Sequence, residues 1–497
     1  MSSKFRNVGL IFLGMIAGIA VSMQLSALAF KQPPPSLPLE ELRQLSDVFG
    51  LIKTDYVESV DDKKLLTEAI SGMVASLDPH SAYLDKKALR ELKEGTQGRF
   101  VGLGIEVGSE DGYVKVISPI EDTPAFRAGL KPGDLITRLD GASVKDMTLD
   151  EAVKRMRGEP NTKITLTIAR KEEPKPLIVT IVREEIHVKS VKAKVVEPGY
   201  AWLRVAQFQE PTVADLTKKI GELYAQDPNL KGLVLDLRND PGGILPGAIG
   251  VAAAFLPKDV VVVSTNGQLP ESKMTYYARK PDYASRNLGD PLSKLPDQIK
   301  KVPMVVLVNT GSASASEIVA GALQDHKRAT ILGTQTFGKG SVQTIRPLSA
   351  DTAVKLTTAR YYTPSGRSIQ ARGIVPDLMV EETPEGDGLN GYRLREADLV
   401  KHLSNGSEKE EPDTGKRLTP EEEQRLIDNA KKIKRLEYGS KEDFQLLQAL
   451  NHLKGLPVKT SKIKIEDRKN GKKDSKKGAK TDKPETDEKS GQDKNGR

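Results

Sequence analysis

The stretch GLVLDLRNDPGGILPGAIGVAAAF, residues 232–255, runs as an apolar segment from Gly232 to Leu237 interrupted only by Asp236. It breaks at Pro241, Gly242 and Gly243 and resumes as an apolar run from Leu245 to Phe255. A short apolar run bounded by turn residues reads as a strand, and the longer run behind it as a helix. The alternation continues on both sides. Strands are expected at Ala201 to Val205, Val260 to Val263, Met304 to Val308 and Thr330 to Leu332, with helices at Val213 to Tyr224 and Ser316 to Gln324. Gly199 to about Val380 therefore reads as α/β architecture. The stretch Thr265 to Pro296, with Tyr276, Tyr277 and Tyr283, interrupts the pattern as a long loop expected to border the active site.

Upstream the pattern changes to short β runs parted by glycine and proline: Val101 to Val107, Tyr113 to Ile117, Asp134 to Leu139, Ile164 to Ala169 and Leu177 to Val182. One helix, near Leu149 to Met156, interrupts them. Gly102-Leu103-Gly104-Ile105, Ser118-Pro119, Pro124-Ala125, Ala128-Gly129-Leu130, Gly133-Asp134 and Asp140-Gly141 make this segment resemble the bacterial PDZ domain. That resemblance implies that Val101, Gly102, Leu103 and Gly104 offer backbone N–H groups to a peptide's terminal carboxylate. The peptide would then add as a strand beside Ile105 to Val107. Before this segment, Leu42, Leu45, Val48, Phe49, Ile52, Leu65, Leu66, Ile70 and Val74 recur at helical spacing, which predicts two helices between Leu39 and Leu77. Their apolar faces need cover from the body of the protein or a second copy. Beyond Glu381 an acidic, glycine-rich linker leads to helical segments near Leu394 to Leu403 and Pro420 to Leu453.

A chain of 497 residues exceeds one ordinary core and predicts two or three domains with appendages. The net charge of +8 raises nucleic acid or an anionic membrane as partners. Much of the basic character lies in the tail from Glu466 to Arg497, where acidic residues are interleaved with the lysines and almost nothing is apolar. Such a tail is expected to be solvated and disordered, and no nucleic-acid partner is expected. At the other end Lys4 and Arg6 precede an uncharged run from Val8 to Phe30, an export segment. Ala27-Leu28-Ala29 fits a cleavage site, and the length of the run equally fits an uncleaved anchor. The absence of cysteine excludes disulfides, a thiol nucleophile and a Cys-ligated metal.

Two glycine-punctuated turns carry the chemistry, Gly311-Ser312-Ala313-Ser314-Ala315-Ser316-Glu317 and Phe337-Gly338-Lys339-Gly340-Ser341. A serine hydroxyl needs a base, and histidine, the usual one, occurs only at positions 80, 187, 326, 402 and 452. His326 falls about three turns along the helix that starts beside Ser314. A neutral lysine can serve instead, provided burial or positive potential lowers its pKa. Lys339, between glycines, behind Phe337 and before the strand-like Val342 to Ile345, is the best placed of the lysines. Ser314-Ala315-Ser316-Glu317 is also a capping-box pattern, so Ser314 reads equally as nucleophile or as helix N-cap. Gly333 to Lys339 fits a phosphate-binding loop up to its lysine. Gly340 then stands where Ser or Thr is required and a strand follows, which argues against nucleotide binding.

The motifs Asp236-Leu237-Arg238-Asn239-Asp240-Pro241-Gly242-Gly243, Ser312 to Glu317, Thr336 to Gly340, Gln343 and Gly373-Ile374-Val375-Pro376-Asp377 resemble the C-terminal processing peptidases, or tail-specific proteases, of peptidase family S41. The resemblance implies Ser314 as nucleophile, Lys339 as base and Gln343 as the residue orienting the lysine. It implies an oxyanion hole from backbone N–H groups of Gly242, Gly243 and Ala315, and Arg157 as a link between peptide binding and activation. The implied fold is a crotonase-like α/β protease core with an inserted β-rich PDZ domain and helical N- and C-terminal elements. Its parts would be an export segment at 1–30, a helical region at 38–95, the PDZ domain at 96–185, the peptidase core at 186–385, a helical element at 386–457 and a charged tail at 458–497. The implied partners are polypeptides with unstructured C-termini, an activating adaptor, the membrane if the leader is retained, and a second copy in a homodimer or larger assembly. The place is the periplasm or cell envelope, and no metal or cofactor is expected. The alternative is a noncatalytic PDZ tethering protein.

Overall fold

The structure is a computed structural model that describes residues 37–171, 173–284, 289–384, 395–406 and 437–461. The export segment, the helix expected from residue 420 as far as residue 436, and the charged tail from residue 462 lie outside the described residues. Two compact units divide the chain at Ser71 and Gly72. The first holds α1 (Leu39–Asp55) and most of α2 (Asp62–Ala75), the two helices that the apolar spacing predicts, and the boundary falls within α2. Leu42, Leu45 and Val48 remain exposed along α1. Among the described residues no helix is long and apolar enough to cross a membrane.

After the end of α2 the second unit continues with β1 (Ala82–Leu84) and α3 (Lys86–Gln97), followed by β2 (Arg99–Gly102). The β-rich segment then comprises β3 (Ile105–Glu110), β4 (Tyr113–Pro119), β5 (Leu135–Leu139), β6 (Ala142–Ser143), α4 (Leu149–Met156), β7 (Lys163–Ala169) and β8 (Leu177–Val182). Its sheet has the order β3-β4-β5-β7-β8, which leaves β3 on an edge. Leaving this segment, β9 (Glu184–His187) pairs antiparallel with β2, so the strands that enter and leave the insert are laced together, Arg99 opposite His187 and Gly102 opposite Glu184. The run expected as one strand from Val101 to Val107 is divided at Gly104, whose φ of 78° is left-handed. A Cβ there would lie 2.3 Å from the Thr123 Cβ, so only glycine lets the chain turn against that side chain.

The core follows: β10 (Val191–Glu197), β11 (Tyr200–Val205), α5 (Thr212–Gln226), β12 (Gly232–Asp236), α6 (Leu245–Phe255), β13 (Val261–Gly267), β14 (Met274–Tyr277), β15 (Met304–Val308), α7 (Ala315–Asp325), β16 (Thr330–Gly333), β17 (Ser341–Pro347), β18 (Ala353–Tyr362), β19 (Leu378–Met379) and α8 (Phe444–Leu453). The central sheet has the order β10-β11-β12-β15-β16-β19, parallel from β11 onward. Alternate side chains point to opposite faces. Leu233, Leu235, Val306 and Val308 join the cluster of α5, α6 and α7, while Val234, Val305 and Leu307 join Trp202, Leu446 and Leu450 under α8. Burial on both faces is why these strands read as largely apolar runs, β15 without a polar residue and β12 with Asp236 alone.

Two expectations need correction. The long loop from Thr265 to Pro296 contains β14, which pairs antiparallel with β13 in a second sheet with β1, β17 and β18. Its Tyr283 packs toward Gly250 of α6. The helix expected from Leu394 to Leu403 is only a short 3-10 turn, Glu396–Asp398. Its backbone is drawn elsewhere, since the Glu396 N–H donates to the Phe337 carbonyl at 3.1 Å.

Candidate active site

Ser314 stands between β15 and α7 with φ 54° and ψ −110°, a conformation rare outside glycine. Its neighbours are committed to structure. The Ser312 hydroxyl donates to the Leu237 carbonyl at 2.7 Å and that of Ser316 to the Asp240 carbonyl at 2.8 Å, and both residues are fully buried. The Ser314 side chain makes no cap hydrogen bond and is partly exposed. From the first turn of α7 the Glu317 carboxylate accepts the Ser314 N–H at 2.8 Å.

That same carboxylate joins the two turns. Glu317 Oε2 also accepts the Lys339 N–H at 2.9 Å, while Oε1 accepts the Gly338 N–H at 2.7 Å and the Thr336 hydroxyl. The Phe337 N–H adds a bond to the Ser312 carbonyl at 3.0 Å. Burial pushes Glu317 up to about 7 despite these donors. Burial, followed by the nearby charge of Lys355, lowers the Lys339 pKa from its ordinary value. Among the described residues no hydrogen bond joins the Ser314 hydroxyl to the Lys339 amine.

Across from Ser314 lies the Pro-Gly-Gly turn. A Cβ on Gly242 would lie 2.9 Å from both the Ala315 nitrogen and the Ser314 Cβ, and one on Gly243 would meet the Phe208 carbonyl oxygen at 2.0 Å. The Gly242 N–H donates to Asp240 Oδ1 at 2.8 Å. The N–H groups of Gly243 and Ala315 have no acceptor among the described residues. Behind this turn Arg238 is fully buried between Asp236 and Asp443, with the Tyr438 ring 4.1 Å from its guanidinium. Tyr438 also accepts from the Asn239 amide at 2.7 Å, so the C-terminal segment braces the turn.

In the β-rich insert, the Gly104 carbonyl accepts from Ile120 and the Leu103 carbonyl from Ala125, both at 2.9 Å. The Leu103 and Gly104 N–H groups have no acceptor among the described residues. A loop with filled carbonyls and free amides offers hydrogen-bond donors to an anion. The adjoining edge strand β3 and helix α4 contribute Ile105, Val107, Leu149 and Val153, all partly buried on the same core.

Comparison with known proteins matches residues 199–380 to peptidase family S41, 101–181 to a PDZ domain and 17–88 to the N-terminal domain of the activating protease CtpB. A carboxy-terminal-processing protease from Bartonella bacilliformis is 48% identical over 380 residues, 76% of this chain and 83% of its own. The chain belongs to the carboxy-terminal-processing proteases of peptidase family S41. A probable CtpA-like serine protease from Staphylococcus aureus is 39% identical over 350 residues, 70% of this chain and 66% of its own. A solved photosystem II D1 C-terminal processing protease matches at 30% identity over 68% of this chain and 86% of its own, with a TM-score of 0.39.

Within this S41 peptidase the expected site residues are not all equally disposed. Gln343 turns its amide to the Ser341 hydroxyl at 2.9 Å and to that of Thr357 at 3.3 Å, rather than to Lys339. The β17–β18 register shifts between Val342 and Gln343. Gly242 has its amide occupied by Asp240, which leaves Gly243 as the open donor of the pair. Arg157 lies against the Phe100 ring and pairs with Glu94 of α3 at 2.6 Å. Sequence reasoning missed Glu317 as the bond between the two turns, although Ser-x-x-Glu marked it as a cap. It also missed His80, whose Nε2 lies 2.8 Å from Glu396 Oε2, a pairing with no local signal.

Proposed function

We propose that this S41 peptidase is a serine endopeptidase that cuts exported polypeptides near their C-termini, with Ser314 as nucleophile and Lys339 as general base. One observation carries the reading. Of the serines in its turn only Ser314 has an uncommitted, partly exposed hydroxyl, on a strained residue whose amide is tied through Glu317 to that of Lys339. A neutral lysine takes the hydroxyl proton as Oγ attacks the peptide carbonyl, then returns it to the leaving amine, and water releases the acyl-enzyme. The free N–H groups of Gly243 and Ala315, the latter at a helix N-terminus, suit the developing oxyanion. The open cradle at Leu103 and Gly104 suits the terminal carboxylate of an unstructured tail. The apolar run from Val8 to Phe30 supports export to the cell envelope, and the exposed apolar side chains of α1 support assembly with a second copy.

The test is incubation with a folded protein carrying an unstructured C-terminal tail, read by mass spectrometry. Ser314→Ala and Lys339→Ala each abolish cleavage while the fold and tail binding persist. Full activity in either variant overturns the dyad.

A further inference from the structure

Lys339 is bracketed by a buried carboxylate that no step above uses. Glu396 is fully buried and reaches the lysine turn from both sides. Its N–H donates to the carbonyl of Phe337, and its Oε1 accepts from Gln370 Nε2 at 2.9 Å, while Gln370 Oε1 accepts the Gly340 N–H at 3.0 Å. His80 Nε2 closes the far side at 2.8 and 3.0 Å from the two Glu396 oxygens. His80 is in turn set by the Asp78 carboxylate, which accepts its backbone N–H at 2.8 Å and the Thr357 hydroxyl at 3.1 Å. Glu396 and His80 are 316 residues apart, so the fold brings them together at the base for reasons beyond local turn geometry.

The geometry points to Glu396 and His80 as positioning residues for the base, Glu396 holding the backbone of the Lys339 turn and His80 offsetting that carboxylate's charge through a hydrogen bond. This rests on Lys339 being the general base. An isolated buried carboxylate beside a lysine stabilises the ammonium, the wrong form for a base. The His80 Nε2–H donates to the Glu396 oxygens and draws their charge away from the lysine. The charged groups facing the lysine are Lys355 on β18, Glu396, Glu317 on α7 and Asp78, with His80 acting through Glu396. Hydrogen bonds, the Ser81 hydroxyl foremost, hold Asp78 low against its burial, so it stays a fixed anion.

The experiment measures the pH dependence of kcat/KM for the full chain and for Glu396→Gln, His80→Leu and the double variant. Gln at 396 keeps a hydrogen bond and removes the carboxylate charge, and Leu at 80 removes the donor that offsets it. The rising limb moves to lower pH in Glu396→Gln, by about one unit, and to higher pH in His80→Leu. The double variant follows Glu396→Gln, because His80 acts through that carboxylate. Shifts in the same direction, or lower rates with an unmoved limb, overturn the proposal. The Lys339 titration is read independently, by pH-dependent acetylation of Lys339 in a Ser314→Ala background, with mass-spectrometric detection. The same opposite shifts are expected there, and should Glu396→Gln fail to fold, the His80→Leu shift alone decides. Lys339→Ala separates the two readings. If it keeps activity and the rising limb, the base assignment fails. If it is inactive and the limb ignores His80 and Glu396, only this proposal fails.

Discussion

Glu317 Oε2 lies 2.9 Å from the backbone nitrogen of Lys339 and, in the same hydrogen-bonding arrangement, accepts the amide of Ser314. One buried carboxylate therefore sets the spacing of the two turns, and a carboxylate suits the task because it only accepts. In Glu317→Gln the side-chain NH₂ faces amide or hydroxyl donors whichever way it is turned. An unsatisfied buried donor costs about 1–3 kcal/mol, so Glu317→Gln is expected to lower the melting temperature and to reduce kcat far more than it raises KM. Differential scanning calorimetry and steady-state kinetics on a tailed substrate check both. Unchanged kcat would remove Glu317 from the alignment of the turns.

The Pro-Gly-Gly turn makes a second prediction. With the Gly242 amide held by Asp240, the free donors are Gly243 and Ala315, and Gly243 has no room for a side chain against Phe208. Gly243→Ala is expected to push the turn away from Phe208 and cut kcat by about 10²-fold or more, the usual effect of losing one oxyanion donor. The measurement is single-turnover kinetics alongside circular dichroism, and a folded variant with wild-type turnover would exclude the Gly243 amide.

Buried lysine is costly to stability, which yields a third expectation. Since the folded state lowers the Lys339 pKa, the unfolded chain binds that proton more tightly between the lowered value and 10.5. The lysine's contribution to stability rises with pH across that window, and the penalty is fully present below it. Lys339→Met should be inactive yet melt higher than the wild type near neutral pH, the gap closing toward pH 10.5. Thermal unfolding over a pH series measures it, and equal melting temperatures throughout would deny the burial penalty.

The α/β core is legible because each parallel strand is apolar on both faces, as Leu233 to Leu237 and Met304 to Val308 show, so composition alone marks the strands. The serine and lysine turns are legible through their glycines. What cannot be read is which groups those turns use to hold one another. Ser-x-x-Glu announces a helix start and is silent about the Lys339 amide 22 residues on. Gly242 and Gly243 look alike until Asp240 occupies one amide. The expected helix at Leu394 to Leu403 fails for a related reason, since Glu396 is held by tertiary partners that helical periodicity does not register.

The PDZ cradle makes a fourth prediction. Charge-assisted hydrogen bonds contribute about 1.5–3 kcal/mol, or roughly tenfold to a hundredfold in affinity. A peptide ending in a free carboxylate should bind the wild type that much more tightly than its C-terminal amide. Gly104→Ala should erase the difference, since its Cβ collides with Thr123 and turns the amides away. Fluorescence anisotropy with the peptide pair decides, and equal binding of acid and amide would place tail recognition elsewhere.

Asp240 supplies the last prediction. Its Oδ1 holds the Gly242 amide, while Oδ2 is buried without a partner among the described residues, and burial pushes the carboxyl up to about 8. The folded state then holds a proton that the unfolded chain releases near 3.8, so stability falls as pH rises from about 4 toward 8, with a limiting slope of one proton. Above that value an uncompensated anion stands beside the turn that offers the Gly243 amide, where it opposes a developing oxyanion. Asp240→Asn keeps an oxygen for the Gly242 N–H and removes the titration. The variant is expected to lose that stability slope and to retain activity above pH 8, where the wild type declines. Unfolding free energies and kcat/KM across the pH range test both expectations together. A wild type that gains stability through the window, or a variant with the same alkaline decline, would show that Asp240 is ionised in the folded protein and that another group limits turnover.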